Sequence, residues 1–154
     1  MQIRLSVFNM ENLFIQRAAP LLPPNTPYKS EKKLDDLKAV FEDIDADIYA
    51  LSEIGTIESL KHFNTHYLDN KYIPAIVKGN SKRDIEVGYL LRKGLPFRYE
   101  LFSYKSHPID FNYEHELELC LNERPKYYMS RDLCELQIFH KEDIKKQKPI
   151  AILF

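Results

Sequence analysis

The chain has 154 residues, of which 44% are hydrophobic and 12% aromatic, a composition typical of one globular domain or of part of one. Its 22 Lys and Arg residues against 23 Asp and Glu residues give a net charge of -1, so no molecule-wide positive field attracts nucleic acid or anionic lipid. Two cysteines, Cys120 and Cys134, are too few for a disulfide framework, and neither a signal peptide nor a long apolar span is present, so a soluble cytoplasmic protein is expected.

The chain opens with a predicted strand that is followed by a long loop. Apolar and polar residues alternate from Ile3 to Phe8, which predicts a strand that ends at the polar cluster 9–12. Four prolines lie between Ala18 and Tyr28, and their fixed φ and missing N–H groups prevent regular pairing. Loops of this length are uncommon and often functional.

A helix and a second strand are predicted after the loop. Ser30 can cap a helix whose apolar residues recur at helical spacing on one face. These residues are Leu34, Leu37, Val40, Phe41 and Ile44. The run 47–51 then predicts a short buried strand that is closed by Ser52 and Glu53. Strand, helix and strand in this order predict a parallel unit with a right-handed crossover.

The rest of the chain changes from a helical pattern to a strand pattern. Thr56 caps a predicted helix from Ile57 to Tyr67, after which apolar residues recur with a period of two. Strands are predicted at residues 72–77, 85–91, 98–104, 133–139 and 149–154, whereas the polar stretch 106–126 receives no element. The last run is so apolar that a central strand covered on both faces is expected, as if the chain ended in the middle of a sheet.

Three polar residues stand at the carboxyl ends of the first two predicted strands. Asn9 and Glu11 follow the first strand, and Glu53 follows the second. Ligands of α/β sheets collect at such strand ends, and two carboxylates with an amide suit an oxygen-preferring divalent ion such as Mg²⁺. The alternative is that Glu53 is a solvated strand-end residue and Asn9 a turn former. Spacing alone leaves both interpretations open.

Two motifs resemble the endonuclease/exonuclease/phosphatase superfamily. Residues 3–14 (IRLSVFNMENLF) are similar to its opening strand, and residues 46–54 (ADIYALSEI) resemble its second signature, with Ser52 where glutamine is usual. Residues 83–91 and 130–136 resemble its later strands less distinctively. The resemblance implies an α/β fold that is half of a four-layered α/β sandwich, with a mixed β-sheet covered by helices. It also implies hydrolysis of a phosphodiester or phosphomonoester with Mg²⁺, or alternatively Mn²⁺.

The resemblance also implies roles for individual residues. Glu53 would be the principal metal ligand and a catalytic residue, Glu11 an accessory metal ligand, and Asn9 a catalytic donor to the scissile phosphate or to Glu53. Arg83 and Arg131 are candidate substrate-binding residues because guanidinium groups grip phosphate in a bidentate manner. Each of these arginines is equally well explained as the partner of a nearby carboxylate.

The family's domain is considerably longer than this chain, and its second half supplies an Asp-x-Asn motif and an Asp-His pair. Asp110-Phe111-Asn112 has the letters of the first motif but stands too early in the chain to match the family order. Residues 1–154 are therefore expected to be the N-terminal part of one such domain, without its C-terminal catalytic half and inactive or nearly inactive alone.

A competing hypothesis is a non-catalytic binding or assembly module that uses an exposed sheet edge to recruit a partner strand. The expected partners are a phosphoester substrate, with nucleic acid among the candidates, and further copies of the chain bound through that sheet edge; no membrane association is expected. His62 and His66 are one helical turn apart and could bind a metal, although a solvated helix face is the more economical explanation.

Overall fold

The computed structural model describes residues 2–118, 125–141 and 148–153, so Cys120 lies outside the described residues. The elements in chain order are β1 (Leu5–Leu13), α1 (Glu31–Ile44), β2 (Ile48–Ile54), α2 (Ile57–His66), β3 (Tyr72–Ile76), β4 (Glu86–Arg92), β5 (Phe97–Ser103), β6 (Pro108–Ile109), α3 (Glu114–Glu118), β7 (Tyr127–Tyr128), β8 (Cys134–His140) and β9 (Ala151–Leu153). The fold class is α/β, as the sequence predicts. No helix among the described residues is long and apolar enough to cross a membrane.

The main sheet is mixed and has the strand order β1-β2-β4-β3. β1 and β2 run parallel, with Leu5 opposite Ile48 and Asn9 opposite Ser52. α1 makes the crossover between these two strands, which confirms the predicted strand-helix-strand unit. β4 is antiparallel to both of its neighbours. A second sheet has the order β5-β8-β9, and β6 pairs with β7 in a small separate ribbon.

Both major helices begin at the side chains that the sequence predicts as caps. The Ser30 hydroxyl accepts the Lys33 N–H at 3.3 Å, and the Thr56 hydroxyl accepts the Ser59 N–H at 3.1 Å. Each bond satisfies a donor that the first helical turn would otherwise leave unpaired. The caps fix where the chain enters each helix and therefore where the preceding segments reach the sheet.

Two apolar cores lie on opposite faces of the main sheet. The first packs both major helices on the sheet and contains Met10, Leu13, Leu34, Phe41, Tyr49, Leu51, Ile54, Leu60 and Phe63, among others. The second lies between the two sheets and contains Ile48, Tyr89, Leu91, Phe97, Cys134, Leu136 and Ile138. The main sheet is therefore the middle of three layers, with helices on one side and the second sheet on the other.

β1 is longer than its sequence predicts. The alternation of residues predicts an end at the polar cluster 9–12, whereas the strand continues to Leu13. The reason is that Met10 and Leu13 are both fully buried in the helix-side core, so the backbone stays against β2. The polar residues between them are accommodated by an irregularity in the strand.

The last apolar run forms a sheet edge among the described strands, and whether further strands would make it a central, doubly covered strand stays a prediction. β9 pairs with β8 alone among the described strands, and Ile152 is 45% exposed on the outer face of the sheet. An apolar run shows which residues gain from burial, but it does not show whether a covering layer is present. The unassigned stretch 106–126 contains β6, α3 and part of the chain outside the described residues, and β7 follows directly after it.

Candidate functional site

The carboxyl ends of β1 and β2 are interrupted by bulges at the same level. After the pair Asn9 and Ser52, the next paired residues are Leu13 and Ile54, so residues 10–12 of β1 face Glu53 alone. Glu11, Asn12 and Glu53 adopt φ angles of 51°, 58° and 55°. Non-glycine residues in this left-handed region are strained, and such strain together with bulges is concentrated at functional sites. The bulges change the directions in which the side chains at the strand ends point.

Glu53 projects from the β2 bulge. The residue is half-buried, and no described residue forms an ion pair with its carboxylate. The next residues, Ile54 and Gly55, are buried, and the Gly55 N–H donates to the Leu13 carbonyl at 3.1 Å. A Cβ on Gly55 would lie 2.3 Å from that carbonyl oxygen, so only glycine allows this close approach. The backbone that carries Glu53 is therefore fixed, while its carboxylate is available.

Two lysines converge on Glu11. The Glu11 Oε2 atom lies 3.5 Å from Lys29 Nζ and 3.6 Å from Lys33 Nζ. The ammonium of Lys33, followed by that of Lys29, lowers the pKa of the Glu11 carboxyl group. Both lysines line a groove between β1 and α1 together with Asn9 and Glu11. Of the two ammonium groups, that of Lys33 is exposed in the groove, and the lining also includes the carboxylates of Glu11 and Asp36.

Lys29 is the residue of the site that the sequence does not reveal. Its side chain is only 5% exposed, and burial lowers the pKa of its ammonium group, whereas the Glu11 carboxylate and, more weakly, the Glu53 carboxylate act in the opposite direction. One buried cation is therefore within electrostatic reach of both carboxylates. The only signal in the sequence is its position at the end of the proline-rich loop, just before the Ser30 cap.

Hydrogen bonds at the end of the proline-rich loop hold the backbone of Lys29 in position. The Lys29 N–H donates to the Phe14 carbonyl at 2.9 Å, just beyond the end of β1. The Tyr28 hydroxyl donates to the Ala19 carbonyl at 3.0 Å, which ties the end of the loop to its beginning. Because prolines also restrict the loop backbone, Lys29 is held against the strand ends by a stiff segment.

The two asparagines of β1 differ in how their side chains are used. Asn9 is exposed, and its Oδ1 atom accepts the Glu11 N–H at 2.7 Å, which stabilises the bulge and leaves the Asn9 amide group to act as a donor. The Asn12 Oδ1 atom is buried and has no hydrogen-bond partner among the described residues. An unpaired buried polar atom is costly, so its presence here is a further mark of strain at the strand ends.

The two arginines lie outside this cluster. Arg83 is exposed and lines a groove formed by Asn12 and the proline-rich loop. Arg131 is also exposed and directly precedes Asp132, which lines another groove together with Ser52. Neither arginine forms an ion pair with Glu11 or Glu53. Within the described part of the chain, Glu11 pairs with Lys29 and Lys33, and Glu53 has no ion-pair partner.

Other candidate metal ligands are the histidine pair on α2 and any cluster of His, Cys, Asp and Glu side chains. The rings of His62 and His66 lie 4.2 Å apart on α2, and burial, followed by the nearby His66, lowers the pKa of His62. No group of three or more His, Cys, Asp or Glu side chains within residues 2–118, 125–141 and 148–153 is arranged to hold a metal ion. A metal at the strand ends would therefore rely on two carboxylates and on water or substrate oxygens.

Comparison with known proteins identifies no relative. No family model matches the chain, and no curated protein or solved structure shows significant similarity to it.

Proposed function

We propose that this chain carries the carboxylate side of a phosphoesterase site that uses Mg²⁺, or alternatively Mn²⁺, in the manner of the endonuclease/exonuclease/phosphatase superfamily. The observation that supports this most is the carboxylate of Glu53, which has no ion-pair partner among the described residues and stands on a left-handed bulge at the carboxyl ends of two parallel strands. Ligands of α/β sheets bind at this position, and a strained residue with an unused charge is suited to a ligand.

The donor set fits a hydrated magnesium ion. Mg²⁺ is usually held by one or two carboxylates and keeps water or substrate phosphate oxygens in its remaining positions. Glu53 would be the principal ligand because no described residue neutralises it, and Glu11 would contribute a second carboxylate that is 72% exposed. When bound, Mg²⁺ supplies charge neutralisation at a phosphate oxygen.

The remaining residues of the site would bind the phosphate group. Lys29 and Lys33 face the same groove as Asn9, whose amide N–H₂ group is available as a donor. Arg83 lines a neighbouring groove, and Arg131 directly precedes Asp132, which lines another, so both would contact more distant parts of a substrate. Activation of the attacking water needs a positioned general base, and we assign none to the described residues. The chain alone is therefore proposed to bind phosphoesters and to turn them over slowly at most.

The test is binding and hydrolysis of DNA, RNA, a phosphoinositide and bis(p-nitrophenyl) phosphate, each with Mg²⁺ and with EDTA. Glu53→Gln should reduce metal-dependent binding and turnover at least about ten-fold, because one charged ligand is lost. Glu58→Gln is the matched control, since Glu58 is an exposed carboxylate at the start of α2. Binding and turnover that persist unchanged in the Glu53 variant, or the absence of any metal-dependent binding, would contradict the proposal.

A second candidate function, an assembly module, is supported by the exposed sheet edges. β1 and β9 each lie at an edge among the described strands, and the outward apolar residues Leu5, Val7 and Ile152 are 46%, 79% and 45% exposed. Exposed edges of this kind accept further strands, so self-association through them is expected. Light scattering over a concentration series tests this: association that is weakened by Val7→Lys supports it, and a strict monomer contradicts it.

We also propose a cytoplasmic location. Cys134 is a free, fully packed cysteine, and burial, with a smaller effect of Asp132, raises the pKa of its thiol to about 11. A thiol of this kind is unreactive and is typical of proteins in reducing compartments. Fractionation of cells that express the chain would test this location.

A further inference from the structure

Two lysines contact the same carboxylate oxygen in very different surroundings. The Nζ atoms of Lys29 and Lys33 lie 3.5 and 3.6 Å, respectively, from Glu11 Oε2. Their side chains are 5% and 61% exposed, respectively. An exposed charge is screened by water and salt, whereas a buried charge acts through a lower effective dielectric constant. Lys33 has the larger effect on the pKa of Glu11, whereas Lys29 is the partner whose charge is shielded from solvent, although the two distances are nearly equal.

The Lys29 ammonium group lies beside a carboxylate that a divalent ion would need as a ligand. It pairs with Glu11 and lies within electrostatic reach of Glu53, the two carboxylates assigned above to the metal. A second cation brought to the same oxygens would be repelled by the ammonium group and would have to share the carboxylates with it. The loop that carries Lys29 is fastened to Phe14, so the ammonium group cannot simply move away with a flexible segment.

We propose that Lys29 is a built-in counter-cation of the metal site, which pairs with Glu11 without metal and sets the affinity for a divalent ion by competing for that carboxylate. This inference rests on the proposed function, because it takes Glu11 and Glu53 as the metal ligands. It assigns Lys29 a positioning role beyond phosphate binding. It also gives the proline-rich loop a role, which is to hold the backbone of Lys29 next to the strand ends.

Titration of the 154-residue chain with Mn²⁺, followed by the electron paramagnetic resonance signal of free Mn²⁺, tests this role. Lys29→Met should bind Mn²⁺ about ten-fold more tightly than the wild type, because a poorly screened repulsion has been removed. Lys32→Met is the matched control and should change the affinity about two-fold or less, since Lys32 is an exposed lysine of α1 that does not line the groove. Lys29→Arg, which keeps the charge, should bind like the wild type. Circular dichroism and thermal midpoints establish that each variant is folded.

The outcomes separate the inference from the proposed function. If wild-type binding depends on Glu53, as shown by its loss in Glu53→Gln, and Lys29→Met leaves the affinity unchanged, then the inference is wrong and the metal site stands. If neither the wild type nor Lys29→Met binds Mn²⁺ in a manner that depends on Glu53, then the proposed metal site is wrong and the inference falls with it. If Lys29→Met does not fold, Lys29→Gln replaces it under the same criteria.

Discussion

The two ends of the parallel strand pair β1 and β2 both carry charged side chains, but they use them differently. At the amino ends, the Arg92 Nη2 atom donates to the Asp45 carboxylate at 2.6 Å and to the Asp45 and Ala46 carbonyls at 2.9 and 3.0 Å. Arg92 Nε lies 3.1 Å from Asp47 Oδ1, an ion-pair contact without hydrogen-bond geometry. The Arg4 N–H donates to the other Asp47 oxygen at 2.9 Å. The charged side chains at this end therefore contact one another and nearby backbone groups.

The carboxyl ends of the same strands show the opposite pattern. Glu53 has no ion-pair partner within the described part of the chain, and Asn12 Oδ1 is buried without a hydrogen bond. Both residues are in the left-handed region, as is Asp45 at the amino ends, but the Asp45 carboxylate is paired with Arg92. Charges that are fully paired stabilise a fold, whereas strained residues with unused polar groups persist where a ligand completes them. The contrast between the two ends is therefore our main reason for placing the function at the bulges.

The largest effect on stability is expected at the amino ends. Arg92→Leu leaves the carboxylates of Asp45 and Asp47 without their partner and should lower the free energy of unfolding by about 2 kcal/mol. Mn²⁺ affinity should not change, since the site lies at the opposite ends of the strands. Urea denaturation of this variant and of Arg83→Leu, an exposed arginine without an ion pair among the described residues, provides the comparison. Equal losses in the two variants would contradict the structural role of Arg92.

A smaller effect that depends on pH is expected beside the bulges. Glu86 stands opposite Ile54 and is 5% exposed; its Oε2 atom accepts the Gly79 N–H at 2.8 Å, while Oε1 has no partner among the described residues. Burial raises the pKa of this carboxyl group above its usual value of 4.5. The contribution of Glu86 to stability is therefore present below pH 4.5 and is lost as the pH rises through the higher folded-state pKa.

The variant that shows this effect is Glu86→Gln, which cannot ionise and keeps an oxygen for the Gly79 N–H. At neutral pH it should be more stable than the wild type by about 1 kcal/mol, the typical cost of an unsatisfied buried group. The difference should disappear in acid. Denaturation at a series of pH values measures it, and a difference that does not vary with pH would show that Glu86 does not titrate in this range.

The smallest effect concerns the strained backbone. Asn12→Gly should stabilise the chain by about 0.5 kcal/mol, because glycine adopts a φ of 58° without strain and the unpaired Oδ1 atom is removed. Asn70 is the matched control: its φ is 56°, but its Oδ1 atom accepts the Asn64 Nδ2–H at 3.0 Å. Asn70→Gly should therefore gain nothing or lose stability. Thermal midpoints of both variants test the difference, and equal shifts would mean that Asn12 is not specially strained.

The sequence predicts the elements whose signals are local. α1 and α2 begin at Ser30 and Thr56 because a capping side chain and the apolar face that follows it lie within a few residues of one another. The parallel pair follows from the order of strand, helix and strand. The position of Glu53 at the end of β2 is also visible in the sequence, since the apolar run ends there.

The rest depends on contacts between distant segments. The left-handed bulge at Glu11 and Asn12 arises because both Met10 and Leu13 are buried, which alternation alone does not show. The burial of Lys29 depends on a loop that returns to Phe14, and nothing near Lys29 in the sequence encodes that return. The edge position of β9 depends on which strands surround it. Apolar and charged patterns predict which residues can be buried, and tertiary contacts decide which of them are.

The measurement that tests the account most directly is the line broadening that Mn²⁺ causes in the ¹⁵N-resolved NMR spectrum of the chain. Sub-stoichiometric Mn²⁺ should first broaden the amide signals of Glu11, Asn12, Lys29 and Glu53, and Glu53→Gln should abolish this broadening. The signals of Asp45 and Asp47, at the other ends of the strands, should remain sharp, because their carboxylates are occupied by Arg92. Broadening that begins at Asp45 and Asp47, or that survives in the Glu53 variant, would contradict the placement of the functional site at the bulges.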